Sequence, residues 1–304
     1  MEADTQSDTE RRFALRVVDE YTHENQLSPR VNLVWRPTDG TTLHAGYMRM
    51  FTPPPFELVS GNTLALFNNT AAASAVTQNT PVRAERAHYF DAGISQEIAA
   101  GLTIGVDAYY KIARNLIDEG QFGAPIILTA FNYDRADVHG IEVSASYDRG
   151  PLSLYANAAW SRAVGKKITS AQFNFAPDEL AYINSHYIHL DHDQTISATA
   201  GAAYTFNAGS LTPTRVSADV LYGSGLRAST NTVPNGRALP GYATLNLSLV
   251  HNLNLAPGRQ TTLRLDVINV TDTRYEIRDG TGVGVGAPQY GLRRTILASI
   301  AQRF

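Results

Sequence analysis

Apolar and polar residues alternate along most of the chain. Leu102, Ile104, Val106, Ala108, Tyr110 and Ile112 are interleaved with Thr103, Gly105, Asp107, Tyr109 and Lys111. Ile141, Val143, Ala145 and Tyr147 alternate with Glu142, Ser144 and Ser146, and Leu152, Leu154, Ala156, Ala158 and Trp160 with Ser153, Tyr155, Asn157 and Ser161. The parity returns over 196–206, 216–222 and 243–249, and at Leu263, Leu265 and Val267. Successive side chains of a strand point to opposite faces, so period two predicts strands with one apolar face; a 3.6-residue template fits none of these segments as well. With 101–117 and 125–147 taken as two long strands, the pattern predicts about twelve antiparallel strands.

The connections alternate as well. Short, turn-forming links at Pro37–Gly40, Ala99–Gly101, Asp148–Gly150, Asn207–Ser210 and Ala256–Gly258 are separated by long polar stretches near 51–87, 118–124, 164–191, 225–240 and 271–289. Such segregation predicts an up-and-down sheet, because a Greek-key sandwich would mix the loop lengths. A soluble sheet of this width needs a second layer over its apolar face, and no amphipathic helix of useful length is visible to supply one. The predicted fold class is therefore all-β: a transmembrane antiparallel up-and-down β-barrel with an apolar face toward lipid and a polar face toward the interior. Tyr21, Trp35, Tyr47, Phe51, Tyr110, Tyr147, Trp160, Tyr204, Phe206, Tyr222 and Tyr242 lie near predicted strand ends and suit interfacial girdles. Ordinary β-propensity of aromatic residues is the plainer account.

Composition sharpens this picture. Only 17% of the 304 residues are charged, against roughly 25% in an average soluble domain, as expected of a sheet with one face in lipid. A net charge of -3 excludes a basic nucleic-acid binder. The absence of cysteine removes disulfide scaffolds, Cys-ligated metals and thiol nucleophiles. No apolar run is long enough for a transmembrane helix, and the acidic start at Met1 is unlike a signal peptide.

The densest polar cluster is the run from His186 to Asp193. His186, His189, Asp191, His192 and Asp193 offer imidazole and carboxylate donors. On an extended backbone, however, His189 would diverge from His186 and His192, and entry of a loop into a strand explains the same residues. The five stand as candidate ligand-contacting loop residues, and no metal or cofactor is assigned. Nothing matches a P-loop, a Gly-x-Ser-x-Gly elbow or a His-Glu-x-x-His helix. The Gly-rich run Gly280–Gly286 lies between strands, not before a helix, so it reads as a mobile loop. No catalytic residue is expected.

The last residues form an alternating strand with Ile296, Ala298 and Ile300 on the parity of Phe304. This resembles the closing strand of outer-membrane proteins, whose terminal aromatic is read by the barrel-assembly machinery; Phe304 would be that signal. Larger segments resemble the TonB-dependent outer-membrane receptors: Leu27–Gly40, Thr42–Tyr47, Phe51–Pro55, Glu85-Arg86 with Tyr89–Gly93, His139–Val143, and Asp266–Tyr275 with the Gly-rich loop through Gly291. The same motifs have plain physical readings, with Asn269 and Asp272 as turn initiators and Gly140 and Gly291 permitting close strand approach.

The resemblance implies a barrel of roughly 22 strands preceded by a plug, a TonB-contacting box and a signal peptide. About twelve strands and none of those parts are seen, so 1–304 is expected to be the C-terminal portion of such a barrel, unable to transport alone. Also implied are an outer-membrane location, contact with lipid, and energy-coupled uptake of a scarce nutrient such as a ferric siderophore. The TonB complex would be reached only through N-terminal parts. A self-closing passive pore and an outer-membrane hydrolase are the other readings, and conductance in a planar bilayer separates the first of these from a plugged receptor.

Overall fold

The computed structural model describes residues 24–55, 59–122, 127–206, 213–256, 259–283 and 286–302. Phe304 and Tyr21, named above, lie outside them. Long strands follow the alternating segments: β1 (Arg30–Thr38), β2 (Thr41–Thr52), β3 (Glu85–Ala99), β4 (Leu102–Phe122), β5 (Ile127–Arg149) and β6 (Leu152–Ile168). After them come β8 (Ile196–Phe206), β9 (Thr214–Gly223), β12 (Tyr242–Ala256), β13 (Arg259–Ile268) and β16 (Thr295–Gln302). Five short strands sit in the long connections: β7 (Ile188–His189), β10 (Arg227–Ala228), β11 (Arg237–Ala238), β14 (Glu276–Asp279) and β15 (Pro288–Tyr290). Each long strand pairs antiparallel with the next in sequence, and β7 adds to β6.

The register puts one kind of residue on each face. Leu102, Tyr147, Leu154, Ala202, Ala218, Leu247, Val267 and Ile296 form a single cross-strand row. One position along, the row reads Thr103, Ser146, Tyr155, Gly201, Asp219 and Asn246. The apolar face is solvent-accessible, with Val106, Ile141, Trp160, Val220 and Leu265 each 40% exposed or more. Among the described residues no second layer covers it, as suits a surface whose solvent is hydrocarbon. On the polar face, Gly201 accommodates the Tyr155 ring, whose Cε1 lies 2.4 Å from where a Cβ would stand.

The expected barrel is not formed. The sheet is open: β1 and β16 are its two ends, and neither pairs with the other among the described residues. Strand direction supplies a physical reason. Among the described residues the path from β1 to β16 contains an odd number of long strands, so these two strands run the same way, from the loop end to the turn end. Direct closure would create a parallel seam, whereas single-chain bacterial barrels of this kind have even numbers of antiparallel strands.

The long connections gather over the loop end of β4 and β5 and carry a core of their own. Phe131, Tyr133, Phe173, Phe175, Ile183 and Ile188 are buried there, with Phe131 edge-on to Phe175 at 4.9 Å. Asn132 ties three segments: its Nδ2 donates to Arg83 O (3.0 Å) and Asn115 O (2.9 Å), while its Oδ1 accepts from Ser170 Oγ (2.9 Å). A short helix α1 (Gly61–Ala65) lies in the first long connection. A second, α2 (Pro177–Ser185), begins with Pro177, and Glu179 accepts the Ala176 N–H at 2.9 Å. Its Ile183 packs into the core.

The end of β13 is clasped to the start of β16. Buried Asn269, at φ 51°, donates from Nδ2 to Thr273 O (2.8 Å) and Leu292 O (2.9 Å). Asp272 accepts from Arg293 Nε (2.7 Å) and the Arg294 amide (3.0 Å). These donors, Arg293 first, hold its carboxyl well below the usual carboxylate range. The Tyr275 ring occupies the space a side chain at Gly291 would need and stacks on Tyr242 at 4.1 Å.

Candidate functional site

The structure sorts the five candidate residues into three settings. His186, at the end of α2, stacks on Tyr182 with ring centroids 4.4 Å apart, and its Nδ1 lies 2.9 Å from Ser185 Oγ. His189 and Asp193 belong to a closed network in which the fully buried Asp193 carboxylate is the hub. It accepts from the Ala163 amide (2.8 Å) and Arg227 Nε (2.8 Å), and lies 2.7 Å from His189 Nδ1. Burial, then the Arg227 charge, pushes His189 below its usual range. Asn235 Nδ2 donates to His189 O at 2.8 Å, while Asn235 Oδ1 accepts the Val283 amide at 2.8 Å. Every polar group named here is satisfied inside the protein, so the network fastens the connections together.

The third setting is different. Asp191 and His192, in the turn after β7, meet Asp118 near the loop end of β4, and donor atoms of all three lie within 4.8 Å of one another. His192 Nδ1 is 2.6 Å from Asp191 Oδ1, and Arg278 of β14 brings Nη2 to 3.2 Å from Asp191 Oδ2 while also touching His192 Nε2. The Asp191 side chain is only 4% exposed. Its charge is balanced, but neither contact has in-line hydrogen-bond geometry, and both its oxygens and Arg278 Nε are buried without a hydrogen bond.

Electrostatics at this spot follow from crowding. Asp118 keeps part of its surface accessible yet is walled by protein on most sides; burial, then the Asp191 charge, pushes its carboxyl up to about 7. Contact with Asp191 raises His192. The Tyr133 phenol, buried without a hydrogen-bond partner, is pushed far up by burial and then by the charges of Asp118 and Asp191. A pocket of about 340 Å³ opens beside the cluster, with apolar walls of Pro55, Ile117, Leu128 and Ala130 and polar groups from Asp118, Glu119, Thr129 and His192. Apolar walls with a few convergent polar groups are the ordinary makeup of a small-molecule site.

Asp118 and Arg278 were not singled out by the sequence. Asp118 falls where alternation breaks, after Leu116-Ile117, at the start of the 118–124 stretch that reads as a connection but whose first residues continue β4. Arg278 sits on a two-stranded ribbon whose pairing, Glu276 with Tyr290 and Asp279 with Pro288, spans a stretch that reads as one long loop.

Residues 4–270 match the family described as TonB dependent receptor-like, beta-barrel. Among solved structures, the chain is similar to the ferric preacinetobactin receptor BauA of Acinetobacter baumannii (TM-score 0.62, 14% identity, covering 90% of this chain and 36% of that one). It is likewise similar to the ferric yersiniabactin uptake receptor FyuA of Yersinia pestis (0.62, 16%, 92% and 38%) and the FrpB iron transporter of Neisseria meningitidis (0.60, 14%, 92% and 40%). The chain thus spans 36–40% of the length of these receptors. Comparison with curated proteins gives no significant match. TonB-dependent receptors are transport proteins of the outer membrane, not enzymes. The family match across most of the chain, on a sheet with this topology, establishes that the chain belongs to the TonB-dependent receptor β-barrel family.

Proposed function

We propose that this chain contributes its sheet to an outer-membrane receptor that imports a small extracellular ligand, a ferric siderophore or similar metal chelate. TonB energy would reach it through a plug domain held against the polar face. The observation that carries the reading is the asymmetry of the sheet. One end has tight turns, whereas the other carries a folded cap with its own buried core and the pocket at Asp118. The relatives named for ferric preacinetobactin and ferric yersiniabactin support the ligand class. Lipid would cover the apolar face, the barrel-assembly machinery would insert the strands, and the long connections would capture ligand. His192, Asp191 and Asp118 are the contacts favoured in that capture; His189 and Asp193 fasten the cap beneath it.

A self-closing pore is not favoured, because β1 and β16, the end strands among the described residues, run the same way. The test is uptake of labelled iron by cells under iron limitation, across a panel of ferric siderophores. Deletion of the gene should abolish import of at least one chelate, and Asp118→Asn should reduce it several-fold while the protein remains in the outer membrane. Import of every chelate at the parental rate by the deletion strain would refute the proposal.

A further inference from the structure

We infer that Asp118, Asp191 and His192 form a divalent-cation site of zinc-like preference, for which the guanidinium of Arg278 competes. The inference rests on the reading above only in placing the pocket on the outer side of the membrane.

Three observations carry it. The donor set is one imidazole and two carboxylates, the nitrogen and oxygen mixture that borderline divalent ions take, and the three donor atoms lie within 4.8 Å of one another. Two of the ligands come from one turn and the third from a different strand, so a bound ion would join β4 to the connection before β8. Second, the Asp191 side chain is 4% exposed, and both its oxygens lack a formed hydrogen bond. Among the described residues its charge is met only by the ion-pair contacts of His192 and Arg278, and a buried carboxylate held without well-aligned hydrogen bonds favours a further cation. Third, the cation now nearest Asp191 is Arg278, which also touches His192. A guanidinium in contact with two of the three ligands marks the position as one that favours positive charge.

The required adjustment is small. Metal–ligand bonds of about 2.0–2.2 Å set neighbouring donors roughly 3–3.5 Å apart. His192, with 67% of its side chain exposed, has open space to turn into once Arg278 withdraws. Three protein ligands leave a fourth position facing the pocket, where a donor atom of an imported chelate would complete the coordination.

The experiment is titration of the full chain in detergent with Zn²⁺ alone, using wild type, Asp118→Asn, His192→Ala and Arg278→Gln proteins with matching circular-dichroism spectra. Asp118→Asn and His192→Ala should each weaken binding roughly tenfold or more. Arg278→Gln should tighten it several-fold, a gain that a damaged fold would not produce. Absence of micromolar binding by the wild type, equal affinity in all four proteins, or weaker binding in Arg278→Gln would overturn the inference. Because no chelate is present, a receptor that imports its ligand but binds no zinc refutes this site alone. Zinc binding by a protein whose deletion leaves uptake intact refutes the transport reading and leaves the site standing.

Discussion

Asn269 shows how one side chain fixes the route of the chain between two membrane strands. It adopts a left-handed backbone, accepts the Thr273 amide at 2.9 Å and donates to two carbonyls, one of them at the threshold of β16. Asn tolerates that conformation better than most residues, and its amide supplies donors and an acceptor at once. Replacing it with Ala strands several buried polar groups. Asn269→Ala is expected to lower the unfolding free energy by roughly 2–3 kcal/mol, measured by urea titration in detergent or lipid. The neighbouring Asp272 clasp is exposed, so its loss should matter less. The Asn-Val-Thr-Asp run was legible as a strand stop because Asn and Asp bond to nearby backbone. That it also grips the next strand depends on Leu292 and Arg293, some twenty residues away, and no local pattern carries such a contact.

At the scale of elements, strand legibility follows from the two-sided environment. Wherever one face meets an apolar solvent and the other a polar one, alternation is enforced at every position, and the observed strands follow it from Leu102 to Ile112 and from Ile141 to Tyr147. Beyond the membrane that constraint lapses. β4 continues through Leu116-Ile117-Asp118-Glu119 and β5 begins at Ile127, burying both faces of Phe131–Tyr133 under the cap, so period two disappears while the strand goes on. Helix α2 lies within the 164–191 stretch that reads as a connection; Pro-Asp-Glu at its start is a helix-start signal, but nine residues are too few to show an apolar stripe. The cap in turn depends on Asp193, which joins β6, β7 and β10 through the Ala163 amide, His189 and Arg227. Removing it leaves the Arg227 guanidinium, 12% exposed, without its carboxylate. Asp193→Ala should cost the cap roughly 3–5 kcal/mol. Limited proteolysis should then cut within 169–195, with the membrane strands still protected.

For the whole molecule, the sequence pattern conveyed a sheet with lipid on one side but not its closure. Period two reports which face a residue occupies and says nothing of what lies beyond the two end strands. Closure depends on the count and direction of strands, and among the described residues the two end strands run the same way. The length of β4 has a separate consequence, one of height. A tilted strand crosses the hydrocarbon in about 9–11 residues, and β4 has 21. Asp118 therefore lies about 50 Å along the strand from Leu102, or about 35 Å above the turn end at a 45° tilt, clear of an apolar band about 25 Å tall. In the proposed receptor the pocket would then stand in the watery layer outside the membrane, open to molecules that cannot enter lipid. Since the chain has no cysteine of its own, an Asp118→Cys protein in intact cells should react with a membrane-impermeant maleimide as readily as with a permeant one, whereas protection from the impermeant reagent would place the site at a lower level.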